Sequence, residues 1–252
     1  MTKYCDTSKL SVRHIDRNTA KRMIIKYHYS HLWSPKNNCA LGLFYDTGNE
    51  HAFFDESAEE LIGVIAYGDP VGRHSGISIC ELLDRTEVYE LTRLYVHDGY
   101  GSNIESWFIS QSFKWLKENK PKIKALISYA SPMEGHVGTI YQATNWIYQG
   151  CGDFQMAPTY SLRLKEDGDW MHSRNVYSKF GSAAPKNLIK AIGHDFWLKK
   201  EASKHRYIYF LGNKKENRHF KKMMKHPIMD YPKNYKHDVE ITKVEVNNTK
   251  WQ

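Results

Sequence analysis

Apolar residues recur along the chain with two different rhythms. Between residues 18 and 27 they fall at Ala20, Met23, Ile24 and Tyr27, the i, i+3, i+4, i+7 spacing of a helix with one buried face. Two continuous apolar runs follow, residues 39–45 (CALGLFY) and 61–67 (LIGVIAY), separated by an acidic, polar stretch at 46–60 and closed by Gly68-Asp69-Pro70. Runs of this length between turn formers predict paired antiparallel strands. Residues 88–96 (VYELTRLYV) predict a third strand, 97–103 (HDGYGSN) a glycine-bearing turn, and 104 to about 118 a helix. After Lys120-Pro121, ALISY at 125–129 reads as a buried strand. Residues 138–146 read as a helix running into strand-like 146–148, and the alternating YSLRL at 160–164 as the strand that closes the sheet.

The order α, β, β, β, α, β, α, β, β predicts an α/β fold (α+β in detail), a mixed sheet with helices packed on it. Strands 88–96 and 125–129 are expected to run parallel, because a crossover helix joins them. This core is expected to occupy residues 1–165. Residues 166–252 form a second region, expected to pack on the core, whose elements the periodicity does not resolve. No repeat or low-complexity tract is visible, which excludes a solenoid.

Composition then narrows the class. A chain of 252 residues, 41% hydrophobic and 13% aromatic, can bury a full core. No stretch approaches the roughly 18–20 apolar residues of a membrane span, and the charged start (Asp6, Arg13, Asp16) lacks a secretory core. A cytoplasmic protein is expected, with no membrane partner. Cys5, Cys39, Cys80 and Cys151 form no CxxC pair, as expected of scattered thiols in a reducing compartment. The net charge of +8 is local. Residues 1–198 hold 22 basic against 22 acidic side chains, whereas residues 199–236 hold 12 against 3. That segment interleaves its cations with Tyr207, Tyr209, Phe210, Phe220, Tyr231 and Tyr235. Such a mixture suits a polyanion carrying stackable bases, and equally suits a solvated basic tail.

The unit with most chemical content is strand, glycine turn, helix at 91–108. A helix start after such a turn presents backbone N–H groups and a positive helix end to an anion. Gly99 and Gly101 leave room for a ligand to approach. Arg93, among Leu91, Leu94 and Val96, needs an anionic partner, either Glu90 or substrate. Tyr141 can donate its phenolic proton to a leaving group or bond a buried carbonyl. His136, between Gly135 and Gly138, can take a proton near neutral pH or be a plain surface histidine. His28 and His31 have a spacing compatible with two metal ligands. Tyr27, Tyr29 and Trp33 beside them are either core or a surface that stacks an extruded base.

The strand, the LYVHDGYG turn at 94–101 and the long helix resemble the cofactor-binding core of GNAT acyltransferases. Tyr141-Gln-Ala-Thr-Asn-Trp146 is similar in placement to that superfamily's Tyr-Glu-Lys-x-Gly-Phe pattern, with Asn145 at the glycine position and no Arg or Gln opening the turn. A closer likeness lies in Tyr27-His-Tyr-Ser-His31, Glu90-Leu-Thr-Arg-Leu94, the block from Tyr129 to Trp146, Met171-His-Ser-Arg174 and Lys204-His-Arg-Tyr207. Together these resemble the Mom family of phage adenine-modifying proteins over about residues 20–235, with Ser131 where relatives often carry Asp.

The resemblance implies a GNAT-like fold with a basic C-terminal extension. It also implies transfer of a carbamoylmethyl group to adenine N6 in double-stranded DNA, in the host cytoplasm, protecting phage DNA from restriction. The implied catalytic set is Tyr141, Arg93, Ser131, His136, His28 and Tyr29. The implied donor site is Val96, Gly99, Tyr100, Gly101, Ser102 and Asn103, holding an activated acyl or glycyl donor, either an acyl-CoA or an aminoacyl-tRNA. The DNA contacts expected are Arg174, Lys204, Arg206, Lys214, Lys215, Arg218, Lys221 and Lys222. Iron on His28 and His31 is a further implication. Two rival functions fit the same residues: a GNAT enzyme acting on a protein or small-molecule amine, and a non-enzymatic DNA-binding protein on this scaffold.

Overall fold

The computed structural model describes residues 5–48, 58–72, 74–151, 159–233 and 239–246. The chain divides into two compact units: Met1–Ala130 with Gly138–Gly150 and Arg206–Tyr231, and Ser131–Val137 with Cys151–His205 and Pro232–Gln252. Both units are discontinuous in sequence. Residues 206–231, placed beyond the core by the sequence reading, therefore belong to the first unit rather than to an extension.

The first unit is a seven-stranded mixed sheet with helices. Its strands in chain order are β1 (Leu10–His14), β2 (Asn37–Asp46), β3 (Glu59–Gly68), β4 (Val88–Val96), β5 (Ala125–Ala130) and β6 (Ile147–Cys151). The seventh, β9 (His205–Phe210), enters late in the chain and lies between β5 and β6 in the order β1-β2-β3-β4-β5-β9-β6. The expected closing strand at 160–164 is not in this sheet. It forms β7 (Tyr160–Arg163), which pairs antiparallel with β8 (Phe196–Lys200) in a separate three-stranded sheet. Alternation along YSLRL establishes a half-buried strand but carries no information about its partner.

Local signals place the helices. Asp16 caps α1 (Arg17–Tyr27) by accepting hydrogen bonds from Asn18 N and Thr19 N at 2.9 and 3.0 Å. Ala20, Met23 and Ile24 are buried as expected, but Tyr27 is exposed and stacks on Tyr95 instead. The long helix α2 (Ile104–Asn119) buries Ile104, Phe108, Ile109, Phe113 and Leu116 on one face, each apolar side chain contributing about 1.5–3 kcal/mol. The helix expected at 138–146 is the single turn α3 (Thr139–Ala143). Two residues with positive φ bound it: Gly138 at 80° and Asn145 at 59°. A Cβ at Gly138 would lie 2.4 Å from the Tyr207 ring. Asn145 supplies the left-handed turn into β6 that glycine supplies elsewhere.

The second unit comprises β7, β8 and β10 (Ile241–Val244) in the order β10-β8-β7, with α4 (Ser173–Phe180) and α5 (Pro185–Ile192). Leu162, Val176, Leu188, Phe196, Leu198 and Val244 form its core. Glu201 ties it together, accepting from Ser161 Oγ at 2.7 Å, Ser173 N at 3.0 Å and Ser173 Oγ at 2.9 Å. Burial raises its pKa, but those bonds outweigh burial and hold the carboxyl below its ordinary range. Among the described residues, no helix is long and apolar enough to cross a membrane.

Candidate functional site

The site begins with a fork in the sheet. β4 and β5 pair in parallel from Val88↔Ala125 only to Glu90↔Ile127, although β4 runs on to Val96 and β5 to Ala130. On its other side, β4 shifts register against β3: Ala66 faces Arg93 while Tyr67 faces Leu91, leaving Thr92 as a bulge. Ser128 sits where the parallel pairing ends. Its Oγ is 3.0 Å from Leu91 O on β4 and 2.8 Å from Tyr141 Oη on α3. The carbonyl only accepts, so the single serine hydrogen goes to Leu91 O, and Tyr141 donates to Ser128.

Tyr141 is 7% exposed, packed against Trp146 and Tyr207. Burial pushes its phenol up to about 12, so it keeps its proton at neutral pH. Tyr29 and Glu90 lie within its electrostatic reach, and the same two residues influence Arg93. Arg93 is held by Leu32 O, 2.7 Å from Nε, and by Thr92 O, 2.5 Å from Nη1. Its guanidinium, lowered in pKa by burial, thus anchors the loop after α1 to the bulged strand. Tyr29 on that loop is 58% exposed and stacks on His28 at 4.3 Å. Of the expected catalytic set, Tyr141 sits at the fork, and Tyr29 lies within electrostatic range of both Tyr141 and Arg93. Ser131 and His136 fall in the second unit, at the two ends of a short turn in which His136 N bonds Ser131 O at 3.0 Å.

At the far end of β4 the chain turns into α2 with φ of 99° at Gly99, 109° at Gly101 and 65° at Asn103. Asn103 makes no side-chain cap bond, so the first-turn amides of α2 have no capping side chain. A Cβ at Gly99 would meet nothing within 4 Å. A cavity of about 310 Å³ adjoins the turn, lined by Ser102, Asn103, Ser106, Trp107 and Ala143 among others. Val96 is buried and pairs with Gly63, and Tyr100 donates to Glu60 at 2.7 Å while packing on Tyr45. Of the expected donor-site residues, Ser102 and Asn103 line the cavity. The side chains of Val96 and Tyr100 serve the sheet.

Helix α6 (Lys214–Lys222) carries the basic segment. At about 100° per residue, Lys214, Lys215, Arg218, Lys221 and Lys222 share one face, all exposed, while Phe220 on the opposite side is buried. Asn213 caps the helix by accepting from Lys215 N and Glu216 N at 2.9 and 3.0 Å. Nearby grooves of about 320 and 480 Å³ add Lys117 and Lys124, and Arg85, Lys120 and Lys122. Lys204 is exposed in the second unit. Arg174 falls within α4, its side chain outside the described residues. Arg206, expected on the DNA-facing surface, is instead 7% exposed on the inner strand β9; a sequence count of cations does not separate inward from outward positions of a strand.

The family model of the Mom protein family matches residues 9–233. The chain belongs to that family. Among Mom proteins, methylcarbamoylase mom of Escherichia phage Mu is 27% identical over 232 residues, covering 90% of this chain and 85% of the relative. Solved structures with a similar trace include a spermidine/spermine N-acetyltransferase of Vibrio cholerae, with TM-score 0.44, 9% identity and coverage of 84% and 98% of the two chains. Another is Arabidopsis thaliana NAA60 with acetyl-CoA, with TM-score 0.43, 10% identity and coverage of 80% and 98%.

The iron expected from the Mom resemblance does not fit the residues present. His28 Nδ1 accepts from Ser30 N at 3.1 Å, which uses that lone pair and puts the ring hydrogen on Nε2. His31 has φ of 48° and donates from Nδ1 to Ile25 O at 2.8 Å. Among the described residues no group of three His, Cys, Asp or Glu side chains is placed to hold a metal. Sequence reading also missed Ser128. Its only signal is a hydroxyl inside an apolar strand, ALISYA, where a buried polar group demands a partner.

Proposed function

We propose that this chain transfers a carbamoylmethyl group to the exocyclic N6 of adenine in double-stranded DNA. Membership of the Mom family over residues 9–233 carries that reading, and the fork supports its chemistry. The N6 lone pair is delocalised into the ring, and in duplex DNA the amine is stacked and paired, so the adenine must leave the stack before it can react. The exposed Tyr29 ring supplies a stacking surface next to Arg93. Tyr141, protonated and resting against Ser128 at the fork, becomes the proton donor when its O–H turns from Ser128 to the leaving group. The five cations of α6 hold phosphates.

The activated donor, an acyl-CoA or an aminoacyl-tRNA, supplies the two carbons of the transferred group, and its thiol or the tRNA hydroxyl departs as the leaving group. Amides of the turn at 99–103 and the start of α2, with Ser102 and Asn103, are the groups of this chain suited to hold its phosphates. Mass spectrometry of nucleosides from DNA of cells expressing the chain tests the proposal. A new adenine derivative with the wild type, lost with Tyr141→Phe, is the expected result. Unmodified adenine in the wild-type sample overturns it.

A further inference from the structure

The face of the sheet that carries α6 changes character at one end. On β9, Ile208 and Phe210 join Ala125 and Ile127 of β5 in one apolar cluster, against which Tyr129 and Ile147 pack. Side chains two apart on a strand share a face, which puts Arg206 in line with Ile208, and Gln149 in line with Ile147. Three adjacent strands thus end this face in polar side chains: Tyr129 on β5, Arg206 on β9 and Gln149 on β6. Tyr129 is close enough to influence the guanidinium, as is His226, whose carbonyl accepts from Gln149 Nε2 at 3.0 Å.

Arg206 is uncompensated there. It is 7% exposed, and among the described residues neither its Nε nor its Nη2 finds a hydrogen-bond partner; Gln149 Oε1, also buried, has none either. A buried guanidinium without an anion is strongly disfavoured, because its hydration is lost and nothing replaces it. The two orphaned nitrogens are the particular pair whose N–H bonds run parallel along one edge of the guanidinium. That edge takes two oxygens of a phosphate side by side. Sequence alone had put Arg206 with the surface lysines, where it would be one point charge among many; burial makes it a directional receptor.

We propose that Arg206 is an internal oxyanion receptor that binds a phosphate group through its Nε and Nη2 edge. The phosphate belongs either to the nucleic acid beside the extruded base or to a phosphate-bearing donor; only this assignment of its source rests on the function proposed above. Opening of the local packing admits it, since the two nitrogens are sealed from solvent in the unliganded chain.

Thermal unfolding of the full chain tests this with inorganic phosphate, coenzyme A and a short single-stranded oligonucleotide as separate probes, each against chloride of equal ionic strength. Phosphate is expected to raise the Tm of the wild type. Arg206→Met, close in volume and uncharged, is expected to have a higher Tm than the wild type without ligand and no response to phosphate. Arg206→Lys keeps the charge but loses the fork, and is expected to need roughly tenfold or more phosphate for the same shift. A larger Arg206-dependent shift with coenzyme A identifies the donor as the source, and one with the oligonucleotide identifies the nucleic acid. A lower unliganded Tm for Arg206→Met, an equal phosphate response in wild type and Arg206→Met, or a wild-type rise matched by chloride overturns the proposal. None of these readings depends on adenine modification, so they stand apart from the nucleoside assay.

Discussion

Tyr141 Oη and Ser128 Oγ lie 2.8 Å apart at the point where β4 and β5 stop pairing. Because Ser128 gives its hydrogen to Leu91 O, the phenol is the donor of that pair at rest, and its O–H must rotate away from Ser128 to reach a substrate. Replacing either residue separates packing from chemistry. Tyr141→Phe keeps the ring against Trp146 and is expected to lower stability by only about 1 kcal/mol, while slowing adenine modification roughly 10²–10⁴-fold. Ser128→Ala keeps the phenol but frees its orientation, so a smaller loss of rate is expected. Single-turnover rates alongside denaturant midpoints read both effects, and equal rates for wild type and Tyr141→Phe remove the phenol from the mechanism.

The cation stripe of α6 makes a claim about salt. Exchanging Lys214, Lys215 and Arg218 for Gln leaves Phe220 and the Asn213 cap in place, so the helix should persist by circular dichroism. DNA affinity is expected to fall, and the slope of log K against log salt to flatten by about 0.9 for each phosphate contact removed. An unchanged slope places the DNA elsewhere.

Asn145 tests the left-handed link between α3 and β6. At φ of 59°, Asn145→Gly should be neutral or slightly stabilising. Asn145→Val should cost about 1–2 kcal/mol, since a β-branched side chain is worst tolerated there. Urea midpoints at constant m-value distinguish the two, and equal midpoints contradict the assignment.

Glu201 predicts part of the acid limb of stability. Its folded pKa is lowered, so its contribution is complete above the unfolded carboxyl value of about 4.3 and is lost as pH falls through the lower folded value. The stability gap between wild type and Glu201→Gln should therefore be open at neutral pH and narrow in acid. A gap of constant size across that window would mean that the carboxylate charge is irrelevant to the Ser161 and Ser173 bonds.

Periodicity was enough to locate β2 to β5, α1 and α2, because each is a run whose own burial dictates its rhythm. Partners were less legible. YSLRL and HRYIYF are both good strands, and choosing between them for the place beside β6 depends on contacts far apart in sequence. The fork was invisible for the same reason, since a bulge at Thr92 follows from register against β3 rather than from composition. At the candidate site, Tyr29, Arg93 and Tyr141 stand in short blocks that the sequence singles out on their own. Ser128 needed the geometry of two strands, and the tautomers of His28 and His31 needed their backbone neighbours.

The late arrival of β9 governs how the first unit can be made. β5 and β6 flank a gap that only residues 205–210 fill, so a nascent chain that has emerged through β6 still carries two bare edges where Tyr207 and Ile208 will lie. Fragments ending before Phe210 should be aggregation-prone and inactive. On the ribosome, the sheet is completed only after nearly all of the intervening second unit has been synthesised, which ties the timing of one unit's closure to the translation of the other.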